Sequence, residues 1–269
     1  MMTGNESNLL ACDDEGPRGT KAVLLIHGHP FNRSMWRPQL SAIASKGWRA
    51  IAPDLRGYGE SAAWAGAPAF EDYGKDLLAL LDALGIDHAV VVGLSMGGQI
   101  AMDVCRQAPH RVCGLLLAAT FPQSESPEGK LRRFAMADRL IREGMAGYAA
   151  EVLPKMVGAT CLAERPEIGK AVIAMMQGTD PQGAAAALRA RAMRPAYEPV
   201  LAAFTGPATV VVGDEDAFTT KDDALKMASL LADCDMQWMP RVGHMPNLER
   251  QEEFNAALLR LLDRADAAC

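Results

Sequence analysis

The sequence predicts an α/β fold: a doubly wound, mostly parallel sheet interrupted once by an inserted helical cap. Three observations predict it. Five short runs are apolar at almost every position, as strands covered on both faces must be. Helical patterns separate most of these runs. The alternation stops over residues 121–205 and resumes after them.

The elements follow in order along the chain. The first strand is 22–26 (AVLLI) and the second 49–52 (RAIA). Residues 70–84 read as a helix, with Tyr73, Leu77, Leu80, Leu81 and Leu84 on one stripe. The third strand is 88–92 (HAVVV), followed by a helix at 97–107 and a fourth strand at 114–118 (GLLLA). Residues 121–205 open on a turn-rich stretch, Phe121 to Gly129. They continue as helix, interrupted at Gly144, Gly147, Pro154, Pro166, Pro181 and Pro195. Ala184–Ala187 is a short low-complexity patch inside a helical pattern, and no internal repeat is visible. The fifth strand is 208–212 (ATVVV). A helix at 221–232, a weaker strand at 235–239 (DMQWM) and a helix at 248–264 complete the pattern. So long a structureless loop at 121–205 is implausible in a compact chain. The predicted division is a sheet domain of 1–120 and 206–269 with a helical cap of 121–205. Right-handed crossovers put the C-terminal ends of the parallel strands on one edge, where open α/β sheets bind ligands.

Composition bounds the function. The chain has 269 residues, 49% hydrophobic and 22% charged, which excludes a disordered chain or a coiled coil. A net charge of −6 argues against nucleic acid as a partner. No apolar run approaches the ~20 residues of a membrane span. The N-terminal stretch MMTGNESNLLACDDEGPRG lacks the pattern of a secretory signal, so a cytoplasmic location is expected. The cysteines Cys12, Cys105, Cys113, Cys161, Cys234 and Cys269 are scattered, without CxxC spacing. They are therefore expected to be free thiols, with no zinc site among them. No cofactor or metal is expected, and a homodimer is compatible with the chain.

The sharpest signal is VVVGLSMGGQIAMDV, in which Ser95 stands between the third strand and the following helix. This is G-x-S-x-G in the strand–turn–helix setting that exposes a nucleophile. So tight a turn leaves no room for bulky neighbours, and Gly93 and Gly97 provide that room. The Met96 N–H, at the helix start, would face developing negative charge. The first strand runs into Ile26-His27-Gly28-His29-Pro30, where the His29 N–H is the candidate second oxyanion donor. The His29 side chain is read either as lining an acyl pocket or as support behind it.

A serine hydroxyl needs a base, and the base needs a carboxylate. His27 closes a strand, His88 opens one and His110 lies in a helix-to-strand turn. His244, after the last strand, is left as the base. The loop following Gly213 carries Asp214, Glu215 and Asp216, and position alone does not choose among them. Asp54 stands at another strand end and out of chain order; it is read as loop structure.

Together these segments resemble the α/β-hydrolase superfamily. HGHP, PDLRGYGES, GLSMGG, GDEDAFTT and VGHMPNLE occur in that family's order and spacing, over about 20–120 and 206–265. The resemblance implies a Ser95, Asp216, His244 triad, since the family's acid is the aspartate of a G-x-x-D loop. It also implies an oxyanion hole from the N–H groups of His29 and Met96. Within the superfamily the chain looks like the enol-lactonase, aryl esterase and cofactor-free perhydrolase branch. Epoxide hydrolases and haloalkane dehalogenases share the HGxP loop but carry aspartate where this chain has Ser95, which disfavours both. The family often starts with a longer hairpin, so one or two edge strands are expected to be short or missing.

The activity this implies is hydrolysis of a small carboxylic ester or lactone through an acyl-serine. A C–C bond hydrolase or lyase on the same triad is the first alternative, and a non-catalytic small-molecule receptor the second. The cap carries eleven Lys/Arg against nine Asp/Glu, an excess that could draw an anionic substrate. A solvated helical surface accounts for the same count. Arg132, Arg133 and Arg139 are the residues to test. Substrate-binding residues are otherwise not assignable. Trp36, Trp64 and Trp238 are expected in the core.

Overall fold

The computed structural model describes residues 10–19, 21–61 and 66–269. Seven strands form one sheet: β1 (Cys12–Glu15), β2 (Ala22–Ile26), β3 (Arg49–Pro53), β4 (Ala89–Leu94), β5 (Val112–Ala118), β6 (Ala208–Gly213) and β7 (Cys234–Met239). Their order is β1-β3-β2-β4-β5-β6-β7. Only β1 runs antiparallel, and at four residues it is the short edge strand that was expected.

Apolar runs become two-faced strands because alternate residues feed opposite layers. In β2, Leu24 and Ile26 pack into one layer and Val23 and Leu25 into the other. The first layer is covered by α2 (Phe70–Ala83), α3 (Met96–Gln107) and, after β6, α10 (Lys221–Leu230). The second is covered by α1 (Arg37–Ser45) and by α12 (Gln251–Ala265), which follows the one-turn α11 (Pro246–Glu249). The reading of 248–264 as one helix is thus split by a break at Arg250. The sequence reading passed over α1, whose N-cap region is a 3₁₀ turn, Arg33–Trp36.

Between β5 and β6 lie α4 (Pro127–Glu143), α5 (Met145–Met156), α6 (Ala159–Glu164), α7 (Pro166–Gln177), α8 (Pro181–Ala192) and α9 (Glu198–Ala203). Of the prolines that punctuate this stretch, Pro166 and Pro181 begin helices, as Pro127 does, where their missing N–H is not needed; Pro154 lies inside α5 and Pro195 between α8 and α9. Ser126 caps α4, accepting the Gly129 N–H at 3.0 Å. The alanine patch of α8 buries Ala184 and Ala185 against Ala137 and Leu140 of α4. A Cβ on Gly183 would collide with Gly57 in the loop after β3, so this glycine sets how closely α8 approaches that loop.

Two expectations are corrected. Cys113 and Cys269 are paired as a disulfide, Cα to Cα 5.5 Å, across 156 residues. The pairing arises because α12 packs along β5 and returns the C-terminus to the start of that strand. Cys12, Cys105, Cys161 and Cys234 are free. Trp238 is 39% exposed because β7 is an edge strand, whereas Trp36 is fully buried beside Phe254. Trp64 lies outside the described residues. Among the described residues no helix is long and apolar enough to cross a membrane.

Candidate active site

Ser95 is the single residue between β4 and α3. Its backbone, at φ 56° and ψ −115°, is one that L-residues adopt at a cost of ~1–3 kcal/mol. The neighbouring glycines make the turn sterically feasible. A Cβ on Gly93 would run into the Gly97 carbonyl, and one on Gly97 into the Ile26 carbonyl. The turn is also held by hydrogen bonds. The Ser95 N–H donates to Ala118 O at 2.9 Å, and Ser95 O accepts from Gly98 N–H at 3.0 Å and the Thr120 hydroxyl at 2.7 Å.

His244 is buried in the loop after β7, with Nδ1 2.9 Å from each carboxylate oxygen of Asp216. A carboxylate only accepts, so Nδ1 carries the proton and Nε2 is the basic nitrogen. Asp216 is fixed in turn: its Oδ1 accepts the N–H of Phe218 at 2.8 Å and of Thr219 at 3.2 Å. The Phe218 ring stands edge-on to His244 with centroids 4.8 Å apart. The three acids of this loop are now distinguishable. Asp214 accepts the Arg241 N–H at 2.6 Å, and Glu215 accepts the Thr160 N–H at 3.0 Å, reaching α6. Asp216 is the one bonded to His244 among them.

Ser95, His244 and His29 line one cavity of about 220 Å³. Ala119, Phe121, Tyr148, Met156, Leu188 and Phe218 give it apolar walls. Arg133 of α4 and Arg191 of α8 line it too. Of the cap arginines singled out in the sequence, Arg133 reaches this cavity. Arg132 is exposed, and Arg139 is tied to Glu143 and Glu151, each at 2.8 Å. Arg191 was not anticipated. Its spacing from Ala184, Ala187 and Leu188 puts it on the buried face of α8, and that periodicity is the signal that could have found it.

The other histidines are accounted for. His27 Nε2 accepts the Leu55 N–H at 3.0 Å, so its Nδ1 donates to Gly28 O at 2.9 Å. Burial pushes its pKa down to about 4, which keeps the ring neutral. Burial, then the nearby Arg191 and Arg133 charges, hold His29 well below the ordinary histidine range. His29 Nδ1 is 2.7 Å from the Tyr58 hydroxyl, which has no other hydrogen-bond acceptor among the described residues. Tyr58 therefore donates, and the neutral His29 ring carries its proton on Nε2, which is buried without a partner. His88 and His110 are exposed. Asp54 is loop structure as expected, accepting the Arg33 and Glu60 N–H groups at 2.8 Å each. Among the described residues no His, Cys, Asp or Glu cluster is arranged to hold a metal.

With a serine on this turn and a buried His–Asp pair on the same cavity, the comparisons are informative. The chain matches the Alpha/beta hydrolase family over residues 23–257. The chain belongs to that family. This hydrolase is 34% identical to a thermophilic esterase from Thermogutta terrifontis, solved with malate bound. The TM-score is 0.91, over 95% of this chain and 93% of that one. It is 26% identical to 3-oxoadipate enol-lactonase 1 of Acinetobacter baylyi over 94% of this chain and 93% of that protein. An epoxide hydrolase of Caballeronia sordidicola is 48% identical, but over 92 residues, 34% of this chain and 28% of the relative.

One residue of this hydrolase lay inside a quoted segment, VGHMPNLE, but was given no role from the sequence. Glu249, 2% exposed, accepts three backbone N–H groups: Gly158 at 3.0 Å, Gly243 at 2.9 Å and Met245 at 3.0 Å. It thereby ties both neighbours of His244 to the segment between α5 and α6. Burial raises its pKa, and the three N–H donors oppose that rise. Glu249→Gln keeps one acceptor oxygen and turns an NH₂ toward a donor. It is expected to cost about 2 kcal/mol or more in stability, read as a lower urea midpoint at unchanged slope.

Proposed function

We propose that this hydrolase cleaves a small carboxylic ester or lactone, with Ser95 as nucleophile, His244 as base and Asp216 as its partner. The observation that carries the reading is the meeting of Ser95 and the Asp216-bound His244 on one small, mostly apolar cavity. A volume of about 220 Å³ is below the ~300–1,000 Å³ of pockets for drug-sized ligands, which favours a small substrate. The esterase and enol-lactonase relatives support ester and lactone chemistry.

In this mechanism Ser95 Oγ attacks the carbonyl carbon as His244 Nε2 takes its proton. The resulting oxyanion receives hydrogen bonds from the N–H groups of His29 and Met96. Neither amide donates to a described backbone acceptor. The tetrahedral intermediate collapses, the C–O bond breaks and the leaving alkoxide takes the proton from His244. For a lactone the alcohol stays tethered to the acyl group. Water then attacks the acyl-serine, giving a proton to His244, and the acid departs as Ser95 is restored. Asp216 holds the tautomer throughout and stabilises the transient imidazolium.

A fluorophosphonate probe tests this. The expected result is one covalent adduct per chain, mapped to Ser95 by peptide mass spectrometry. Absence of an adduct at Ser95, with the cavity reachable by a short ester, would favour the receptor reading instead.

A further inference from the structure

The catalytic cavity carries more positive charge than its surroundings neutralise. Three guanidinium groups gather in the cap beside it: Arg133, Arg191 and Arg194. One carboxylate serves them, Glu125, whose Oε1 accepts from Arg133 and from Arg194, each at 2.7 Å. Arg191 has no acidic partner among the described residues. Its Nε donates to the neutral Gln99 Oε1 at 2.7 Å, and its side chain is buried. Arg133 Nε and Gln99 Nε2 are buried donors without acceptors, as is His29 Nε2 on the cavity wall. A guanidinium out of water and unpaired is costly, and the usual remedies are an acid, a shift to neutrality or a bound anion. An arginine does not readily neutralise. Burial, then the neighbouring Arg133 and Arg194 charges, lower the proton affinity of Arg191, in keeping with a missing counter-charge.

We propose that Arg191, with Arg133, forms a carboxylate subsite, so that the substrate is an ester or lactone bearing a free carboxylate besides the bond cleaved. This rests on the ester-or-lactone reading above. A carboxylate fits the donors better than a neutral polar group does, because a planar guanidinium presents paired N–H groups that a carboxylate accepts side by side. It would supply the acid that Arg191 lacks. The apolar residues Leu188, Met156 and Phe121 would enclose the carbon chain between the two ends. The tie from Arg191 to Gln99 joins the subsite to α3, the helix that Ser95 precedes.

The test compares p-nitrophenyl pentanoate with mono-p-nitrophenyl glutarate, each corrected for uncatalysed hydrolysis. They differ by exchange of a terminal methyl for a carboxylate. Hydrolase with unaltered sequence is expected to favour the glutarate ester in kcat/KM by roughly 10–100-fold, the range of a charge-assisted hydrogen bond. Arg191→Met, of similar length and apolar, is expected to lower kcat/KM for the glutarate ester far more than for the pentanoate ester, so that their ratio falls to within about twofold of one. If Arg191 were only a structural tie, both esters would slow in proportion, and that result overturns the proposal. Equal turnover of both esters by the unaltered chain also overturns it and leaves the hydrolase reading intact. Turnover of neither ester fails the ester-or-lactone reading, and this inference with it. Should Arg191→Met not fold, inhibition decides. Competitive inhibition of pentanoate turnover by glutarate but not by glutaramide supports the subsite, and equal effects of the two overturn it.

Discussion

Replacing Ser95 by alanine will lower kcat on a short p-nitrophenyl ester by roughly 10⁴-fold or more, with the folded state retained. The size follows from the cooperation of the groups involved. Without Oγ there is nothing for His244 to deprotonate and no acyl intermediate to form, so the remaining rate is that of water in the cavity. The N–H groups of His29 and Met96 would still face an oxyanion, which is why a residual acceleration over solution is expected. The fold should survive because alanine keeps the Cβ already accommodated at φ 56°. None of the hydrogen bonds that hold the turn uses the serine hydroxyl: they run through Ser95 N–H and O. Thermal melting checks the fold and initial rates check the chemistry. Turnover within tenfold of the unaltered chain, at an unchanged melting temperature, would remove Ser95 from its assigned role.

The strands were legible because a parallel sheet with helices on both faces demands residues such as Val90, Val91 and Val92 in sequence, all fully buried. The tight Ser95 turn was legible because steric exclusion is local: Gly93 and Gly97 are required within two residues of Ser95. What was not legible depended on long-range neighbours. Asp214, Glu215 and Asp216 share one loop and similar chemistry, and only the arrival of His244 from residue 244 and Thr160 from α6 separates them. Family resemblance, not position, chose Asp216. Arg191 belongs to a helix whose charge count reads equally well as solvated surface. Its spacing from Ala184, Ala187 and Leu188 places it on their face of α8, but that this face is the buried one shows once α4 and α8 are packed together. The Cys113–Cys269 pair joins residues 156 apart, and scatter along the chain hid it. Trp238 lies on the edge strand β7, where Asp235 and Gln237 already made the pattern weaker than in the central strands, a signal that the expectation of a buried tryptophan passed over.

Asp216→Asn should cost nearly as much as loss of the Ser95 hydroxyl, roughly 10⁴-fold in kcat, for a reason set by the hydrogen bonds already around that side chain. The N–H groups of Phe218 and Thr219 both donate to Oδ1. In asparagine those two donors will claim the amide oxygen, leaving the NH₂ to face His244 Nδ1. A donor there needs an acceptor, so the imidazole must lose its proton from Nδ1 and carry it on Nε2. The nitrogen meant to receive the serine proton is then already occupied. Volume and backbone hydrogen bonding are preserved, so the variant should melt close to the unaltered protein. Fluorophosphonate labelling should slow in step with ester turnover, because both need an activated Ser95. Asp214→Asn and Glu215→Gln are the controls: they loosen the Arg241 and Thr160 contacts and so touch stability, but leave the His244 tautomer alone. Their kcat should stay within about tenfold of the unaltered chain, well short of the effect at Asp216. If Asp214→Asn or Glu215→Gln instead produced the large loss while Asp216→Asn did not, the acid would be misassigned despite its 2.9 Å contacts with His244.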